Sequence, residues 1–385
     1  MNNESNKNLR WRDYFLRQGT DFFEFWKRYL NSKEHDVLFV VGLGFDPRTC
    51  TAVENILNAG GNGKRDCFLL EFDEGEGSPS KRYEHHTSSN RSKLEKMFNE
   101  RGEIIRKDIK ILSKDGRRIG SRSAANVFSS INDLTNYTDI IVDISATPRA
   151  LYFPIIGKLL YLYDSNSTDN GKSKNLNIHV VVVENPTLDY RIRAEGIDDK
   201  ANYVHGFGGD VELESTANIP RVWIPIIGEK RDAHMTRIHT LVNNPKEICP
   251  VLPFPATNPR RGDDLILEYR ELLFDQLRVE PTNIVYAAEQ NPFEVYRKIA
   301  RTVIQYNKAL SPLGGCKVIV SSLSSKLLSI GALLAAYDLK RKGFAIGIAH
   351  VGAQGYTMPE GDQITESKCQ EELCSLWLAG ECYDA

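Results

Sequence analysis

The chain has 385 residues, 41% of them hydrophobic and 26% charged, which is enough for two ordinary domains with large cores. Its 49 basic and 51 acidic residues leave a formal charge of -2, which argues against broad non-specific binding to nucleic acid or to an acidic membrane surface. The longest apolar stretch, Leu151 to Tyr163, is broken by Pro154 and Lys158 and falls short of the roughly 20 residues that span a bilayer. The opening MNNESNKNLRWRDYF has no apolar signal core, and seven scattered cysteines point to a reduced, cytoplasmic setting.

Asp21 to Leu30 (DFFEFWKRYL) predicts an aromatic-rich helix capped by Thr20 or Asp21, within an appendage (residues 1–35) that packs on the first lobe. An alternating series begins after it. Strands are expected at Val37 to Val41, Cys67 to Phe72, Ile109 to Leu112, Ile140 to Ile144 and Ile178 to Val183. Helices are expected between them at Arg48 to Leu57, Arg91 to Asn99, Ala124 to Leu134 and Pro148 to Tyr163. Glu74 to Ser89 and Ser165 to Lys174 read as polar loops. A bridging segment, 186–220, carries GFGG at Gly206 to Gly209.

The same order then recurs. Strands are expected at Val222 to Ile227, Ile248 to Leu252, Asn283 to Ala287, Lys317 to Val320 and Phe344 to Ala349. Helices are expected at Asp232 to Val242, Asp263 to Leu277, Pro292 to Leu310 and Leu327 to Leu339. The tail, from Glu371, holds LWL at Leu376 to Leu378, an expected edge strand of the second sheet. The fold class is therefore α/β: two tandem Rossmann-like lobes, 36–185 and 221–385, each a mostly parallel five-stranded sheet flanked by helices. IIVDISATPRALYF in the first half matches VIVSSLSSKLLSIG in the second in pattern, which suggests an internal duplication.

Open parallel sheets bind ligands where strands run into helix N-termini, because backbone amides and the helix dipole there favour an anion. The first strand ends GLGFDPR, with Gly42 and Gly44 to admit a ligand, and Asp46 and Arg48 beside them. The third glycine of a dinucleotide fingerprint is absent, while Glu71 and Asp73 close strand two where a ribose-binding acid is expected. The fourth strand ends DISATPR, offering Asp143, Ser145, Thr147 and Arg149. In the second half, GEKR ends in Arg231, NPRR contains Arg260, and SSLSSK supplies Ser324, Ser325 and Lys326. Repeated cations at one sheet edge point to an anionic ligand; a planar guanidinium binds phosphate or carboxylate bidentately.

The strand–Ser-rich loop–helix stretch VSSLSSKLLSIGALLAA (Val320 to Ala336), and more loosely DISATPRALYF, resembles the second loop of CARF domains, the Rossmann-like sensors of cyclic oligoadenylates. The Gly-Gly pair of that loop is missing here. The resemblance implies a regulatory sensor in a prokaryotic defence or signalling system, a nucleotide ligand contacting Ser324, Ser325, Lys326, Ser145, Thr147 and Arg149, and a partner chain or homo-oligomer. Two other classes stay open: a nucleotide-processing or dinucleotide-dependent enzyme, and a scaffold subunit docking through its aromatic N-terminal helix. Catalytic residues are not fixed. Glu289 and His350 follow strands where an acid or base belongs. His85, His86, His234 and His239 form no metal motif, and Cys369, Cys374 and Cys382 form no CxxC pair. No cofactor is assigned.

Overall fold

The computed structural model describes residues 9–169, 176–213, 218–358 and 371–383. Along the chain the elements are β1 (Phe15–Gln18), α1 (Thr20–Leu30), β2 (Val37–Leu43), α2 (Thr51–Asn58), β3 (Arg65–Asp73), α3 (Glu84–Phe98), β4 (Ile104–Lys110), α4 (Gly120–Ala125), β5 (Asp139–Asp143), α5 (Arg149–Asp169), β6 (Asn177–Glu184), α6 (Pro186–Arg191) and β7 (Arg193–Ile197). They continue with β8 (Asn202–Tyr203), α7 (Gly209–Glu212), β9 (Arg221–Ile226), α8 (Asp232–Val242), β10 (Glu247–Ile248), β11 (Val251–Pro253), α9 (Arg261–Glu268), β12 (Val285–Ala287), α10 (Pro292–Ala309), β13 (Lys317–Ser322), α11 (Lys326–Arg341), β14 (Ile346–His350), β15 (Ala353–Thr357) and β16 (Glu372–Ala379).

The chain forms two units. The N-terminal lobe is Tyr14–Gly196 with Ala353–Ala385; the C-terminal lobe is Met1–Asp13 with Ile197–Gly352. In the N-terminal lobe the strand order is β1-β16-β6-β5-β2-β3-β4, and in the C-terminal lobe β12-β11-β9-β13-β14-β8, with β10 also on β9. Numbering the five parallel strands of each lobe in sequence gives the same order, 3-2-1-4-5, in both. This is the Rossmann order. The two matched sequence stretches, β5–α5 and β13–α11, occupy the same place: the fourth strand and its helix.

Both faces of these sheets are covered, so the central strands are buried throughout, as in VLFVVGL of β2 and KVIVSS of β13. The N-terminal core joins Phe39, Ile141 and Val181 of the sheet to Phe22, Trp26 and Leu30 of α1. The C-terminal core gathers Trp223, Met235, Tyr269 and Ile319. Helix α11 is buried from Leu327 to Leu339, and at Gly331 a Cβ would stand 2.5 Å from the Pro292 carbonyl, so glycine sets how closely α10 and α11 approach.

Several expectations are corrected. The tail strand is not an edge of the second sheet. β16 lies inside the first, antiparallel to β6 and β1, so β1 is the edge strand there. Each parallel five-stranded core is thus extended by antiparallel strands, including β8 on β14. Helix α1 begins after Gly19, with no side-chain cap from Thr20 or Asp21. The expected loop at 74–89 turns helical from Pro79, because Ser78 caps that turn and α3 buries Asn90, Leu94 and Phe98 while Ser88, Ser89, Lys93 and Glu95 face water. The single helix expected at 124–134 is two turns, α4 and residues 131–134, since Ser130 and Asp133 form a capping box that restarts the chain. The helix expected at 263–277 changes to π geometry at Glu271–Gln276. Of the expected loop at 165–174, residues 165–169 continue α5 and 170–174 lie outside the described residues.

Candidate functional site

A 3-2-1-4-5 order reverses direction between strands 1 and 4, and their loops part there to leave a crevice at the carboxyl ends of the strands. Each lobe has one such point: between β2 and β5 in the N-terminal lobe, and between β9 and β13 in the C-terminal lobe.

In the N-terminal lobe the loops close on each other. A Cβ at Gly42 would stand 2.4 Å from Thr147 Oγ1 and 2.8 Å from the Phe72 ring. Thr147 and Phe72 thus pack against Gly42 where a side chain would otherwise stand. A Cβ at Gly44 would stand 3.9 Å from the Ala146 carbonyl, an ordinary contact. Arg48 is 2% exposed and forks onto Asp46, with Nη2 to Oδ2 at 2.7 Å and Nε to Oδ1 at 3.0 Å. Its Nη1 donates to Asp189 Oδ1 at 2.8 Å. Burial opposes the Arg48 charge, but Asp46 and Asp189 more than reverse this and raise its pKa. Asn90 of α3 donates to the carbonyls of Gly44 and Asp46 and fixes the loop from outside.

The fourth-strand loop is built alike. Asp143 Oδ1 accepts from Ser145 N at 2.8 Å, Ser145 Oγ accepts from Val183 N at 2.9 Å, and Thr147 Oγ1 donates to the Asp143 carbonyl at 3.1 Å. Asp46, Arg48, Asp143, Ser145 and Thr147 are all buried. Their hydrogen bonds hold their own loops together. Arg149, the first residue of α5, is half-buried at the same strand end. Glu71, expected at a ribose, faces Arg91 at 3.3 Å and Arg106 at 3.7 Å, and Asp73 accepts from Gly75 N.

In the C-terminal lobe the crevice carries more charge at its surface. A Cβ at Gly228 would stand 2.5 Å from the Leu323 carbonyl, so the loops after strands 1 and 4 touch at their base. Above that contact the chain is pinned from α9 and the residue after it. Tyr269 OH donates to the Gly228 carbonyl at 2.7 Å and accepts from Arg231 N at 2.6 Å, and Glu268 accepts from Lys230 N at 2.6 Å. Lys230 adopts a left-handed φ of 57° within this turn. Arg231 is half-buried and Lys230 exposed on one side; Lys326, at the start of α11, is half-buried on the other. Ser325 caps α11, accepting from Leu328 N at 3.3 Å, and no acidic residue lies in that first turn. Ser324 is 6% exposed beside it.

The two arginines in NPRR, of which Arg260 is the expected ligand contact, differ in setting. Arg260 is exposed at the start of α9, while Arg261 forks onto Glu229 at 2.7 and 3.0 Å and also bonds Glu289. Burial pushes the Glu229 carboxyl up, but Arg261 holds it below the usual carboxylate range. Glu289 also accepts from Thr257 N, so it ties loops rather than standing open as an acid. The partners Glu229 and Asp189 lie far along the chain from the arginines they hold, so no local pattern announces them.

Elsewhere, the His85 and His86 rings stand 3.8 Å apart in the first turn of α3; burial, then His85, lowers the pKa of His86. His234 and His239 lie along α8, and His350 ends β14 half-buried. Cys374 is buried in β16, Cys382 is half-buried, and Cys369 lies outside the described residues. Among the described residues no group of three or more His, Cys, Asp or Glu is placed to hold a metal ion, and no helix is long and apolar enough to cross a membrane.

No family model matches the chain, and no curated protein matches it. Among solved structures it is similar to the functionally unknown protein PA1789 of Pseudomonas aeruginosa PAO1, at 10% identity and a TM-score of 0.22 over 84% of this chain and 93% of that one. It is also similar to an uncharacterised protein of Mycobacterium paratuberculosis, at 7% identity and a TM-score of 0.21 over 86% and 89%. A third is a GsuK channel bound to NAD, at 10% identity and a TM-score of 0.18 over 81% and 63%. Likenesses this low carry no argument about function.

Proposed function

We propose that the protein binds an anionic, nucleotide-like ligand at the crevice between β9 and β13 of the C-terminal lobe. The observation that carries this reading is the flanking of the strand-order reversal by Lys230 and Arg231 on one side and Lys326, at the N-terminus of the 16-residue helix α11, on the other. Dipole and side chains there carry the same sign, which favours phosphate. In the corresponding N-terminal loops the arginine is instead taken up by the buried Asp46–Arg48–Asp189 cluster. The reading is of a binding or sensing protein, in keeping with the CARF-like loop at Val320 to Ala336, and Glu229 and Glu289 beside the crevice are held in ion pairs with Arg261.

A thermal-shift screen of the full chain against nucleotides, dinucleotides and cyclic oligonucleotides, with mass analysis for turnover, tests it. Stabilisation without conversion supports a sensor. Conversion would make the protein an enzyme, and no shift with any compound removes the reading.

A further inference from the structure

We propose that the ends of β11 and β12 form a stacking platform for a nucleobase, built from Phe254 and Tyr286 with Arg260 beside them. The proposal rests on the reading that a phosphate sits between Arg231 and Lys326.

Phe254 follows β11 directly and is 56% exposed; Tyr286, in the edge strand β12, is 42% exposed. Their ring centroids lie 6.1 Å apart with planes at 77°. A flat ring thus finds one aromatic face to stack on and a second aromatic ring to abut. Two large rings held open to water are unusual in a lobe that buries Trp223, Tyr269 and Tyr296 completely or nearly so.

The backbone beneath the platform is tied down. Phe254 N donates to the Ala287 carbonyl at 2.8 Å, and Glu289 N donates to the Pro255 carbonyl at 2.9 Å. Thr257 N donates to Glu289 Oε2 at 2.9 Å, and Arg261 joins Glu289 to Glu229. The loop after strand 2 is therefore tied to those after strands 1 and 3, so stacking on Phe254 need not order the backbone that carries it. A cation stands at the same place: a Cβ at Gly262 would be 3.3 Å from the Pro253 carbonyl, which brings the start of α9, and exposed Arg260, to the strand end that carries Phe254. A guanidinium there adds stacking or edge hydrogen bonds to a base.

The spacing suits one ligand. Neighbouring strands stand about 4.8 Å apart. β11 is one strand and β12 two strands from β9, and the crevice lies half a strand spacing beyond β9, so the platform lies roughly 7 to 12 Å across the sheet edge from the crevice. A nucleoside monophosphate with its phosphate at Arg231 and Lys326 reaches that far. The charge at Arg260 and the common sheet edge favour this occupant over a second copy of the chain.

The test is titration calorimetry of the full chain with the four nucleoside 5′-monophosphates and with ribose 5-phosphate, which has the phosphate but no base. Wild type, Phe254→Ala, Phe254→Tyr, Tyr286→Ala and Arg231→Ala are compared, with sedimentation velocity on each. The expected result is that Phe254→Ala weakens the preferred nucleotide about 5- to 150-fold, the range that base–aromatic stacking supplies, leaves ribose 5-phosphate unchanged, and is rescued by Phe254→Tyr. If Arg231→Ala abolishes binding of both while Phe254→Ala and Tyr286→Ala spare the nucleotide, the crevice stands and the platform falls. If Phe254→Ala instead dissociates a dimer without changing affinity, the rings are a copy-to-copy interface and the proposal is overturned. If wild type binds neither compound, crevice and platform fall together.

Discussion

Gly228 packs against the carbonyl oxygen of Leu323 so tightly that a Cβ at 228 would stand 2.5 Å from it. The obstacle is backbone, not the flexible end of a side chain, so the two loops must part to admit even a methyl group. Gly228→Ala is expected to lower stability by about 1–3 kcal/mol, the usual cost of overpacking, and to weaken ligand binding at the crevice as Arg231 is displaced from Lys326. Urea denaturation and a binding titration check this together. Unchanged stability would mean that the contact is not tight in solution.

Arg48 has the opposite standing, a cation the sequence places at a binding loop and the structure consumes. Removing it strands the buried Asp46 carboxylate and frees Asp189, whose side chain is 37% exposed. Breaking a buried ion pair costs about 3–5 kcal/mol, and the partial exposure of Asp189 argues for the lower end. Arg48→Ala should therefore destabilise the protein strongly while leaving nucleotide affinity at the C-terminal crevice unchanged below the melting transition. Loss of affinity in the folded variant would return the ligand to the N-terminal loops.

A third expectation concerns acid. Asp139, at the start of β5, is fully buried, with His35 Nδ1 at 2.7 Å, His179 Nε2 at 3.4 Å and Tyr29 OH at 2.6 Å. Burial pushes its carboxyl up, but the His179 and His35 rings beside it prevail and hold it well below the usual carboxylate range. Burial also lowers the pKa of His179. Below about pH 6.5 the unfolded chain takes up a proton at His179 that the folded chain refuses, so stability is full above that pH and falls as pH drops, by up to about 1.4 kcal/mol per unit. The Asp139 contribution is present above about pH 4 and is lost on further acidification. His239, also lowered by burial, adds to the wild-type slope. His179→Gln should be less stable at pH 7 yet lose stability less steeply between pH 6.5 and 5, read from urea midpoints. An equal slope would contradict the assignment.

Much of the architecture was legible because alternation of buried apolar strands with amphipathic helices is a local signal. VLFVV, IIVDI and VVVV announce themselves, and both lobes follow. The place of β16 was not legible. LCSLWLA is as apolar as any central strand, but nothing local says that its partner is β6, nearly two hundred residues earlier. The site was half legible for the same reason. Short-range patterns marked GLGFDPR, DISATPR, GEKR and SSLSSK as strand-end loops, and they are. Which cations stay at the surface was decided partly by distant acids: Asp189 on α6 joins the neighbouring Asp46 in taking Arg48, and Glu229 with Glu289 takes Arg261 while Arg260 remains exposed. The pinning tyrosine, Tyr269, gave no signal beyond being one more aromatic in a helix.

The most direct test of a nucleotide-like ligand at the C-terminal crevice is calorimetric titration of wild type, Arg231→Ala, Lys326→Ala and Arg149→Ala with the compound that most stabilises the protein. The crevice reading predicts about tenfold or greater loss of affinity for each of the first two, as expected when a charge-assisted contact worth about 1.5–3 kcal/mol is removed, and wild-type affinity for Arg149→Ala. Retained affinity in Arg231→Ala and Lys326→Ala, with loss in Arg149→Ala, would contradict it and place the ligand in the other lobe.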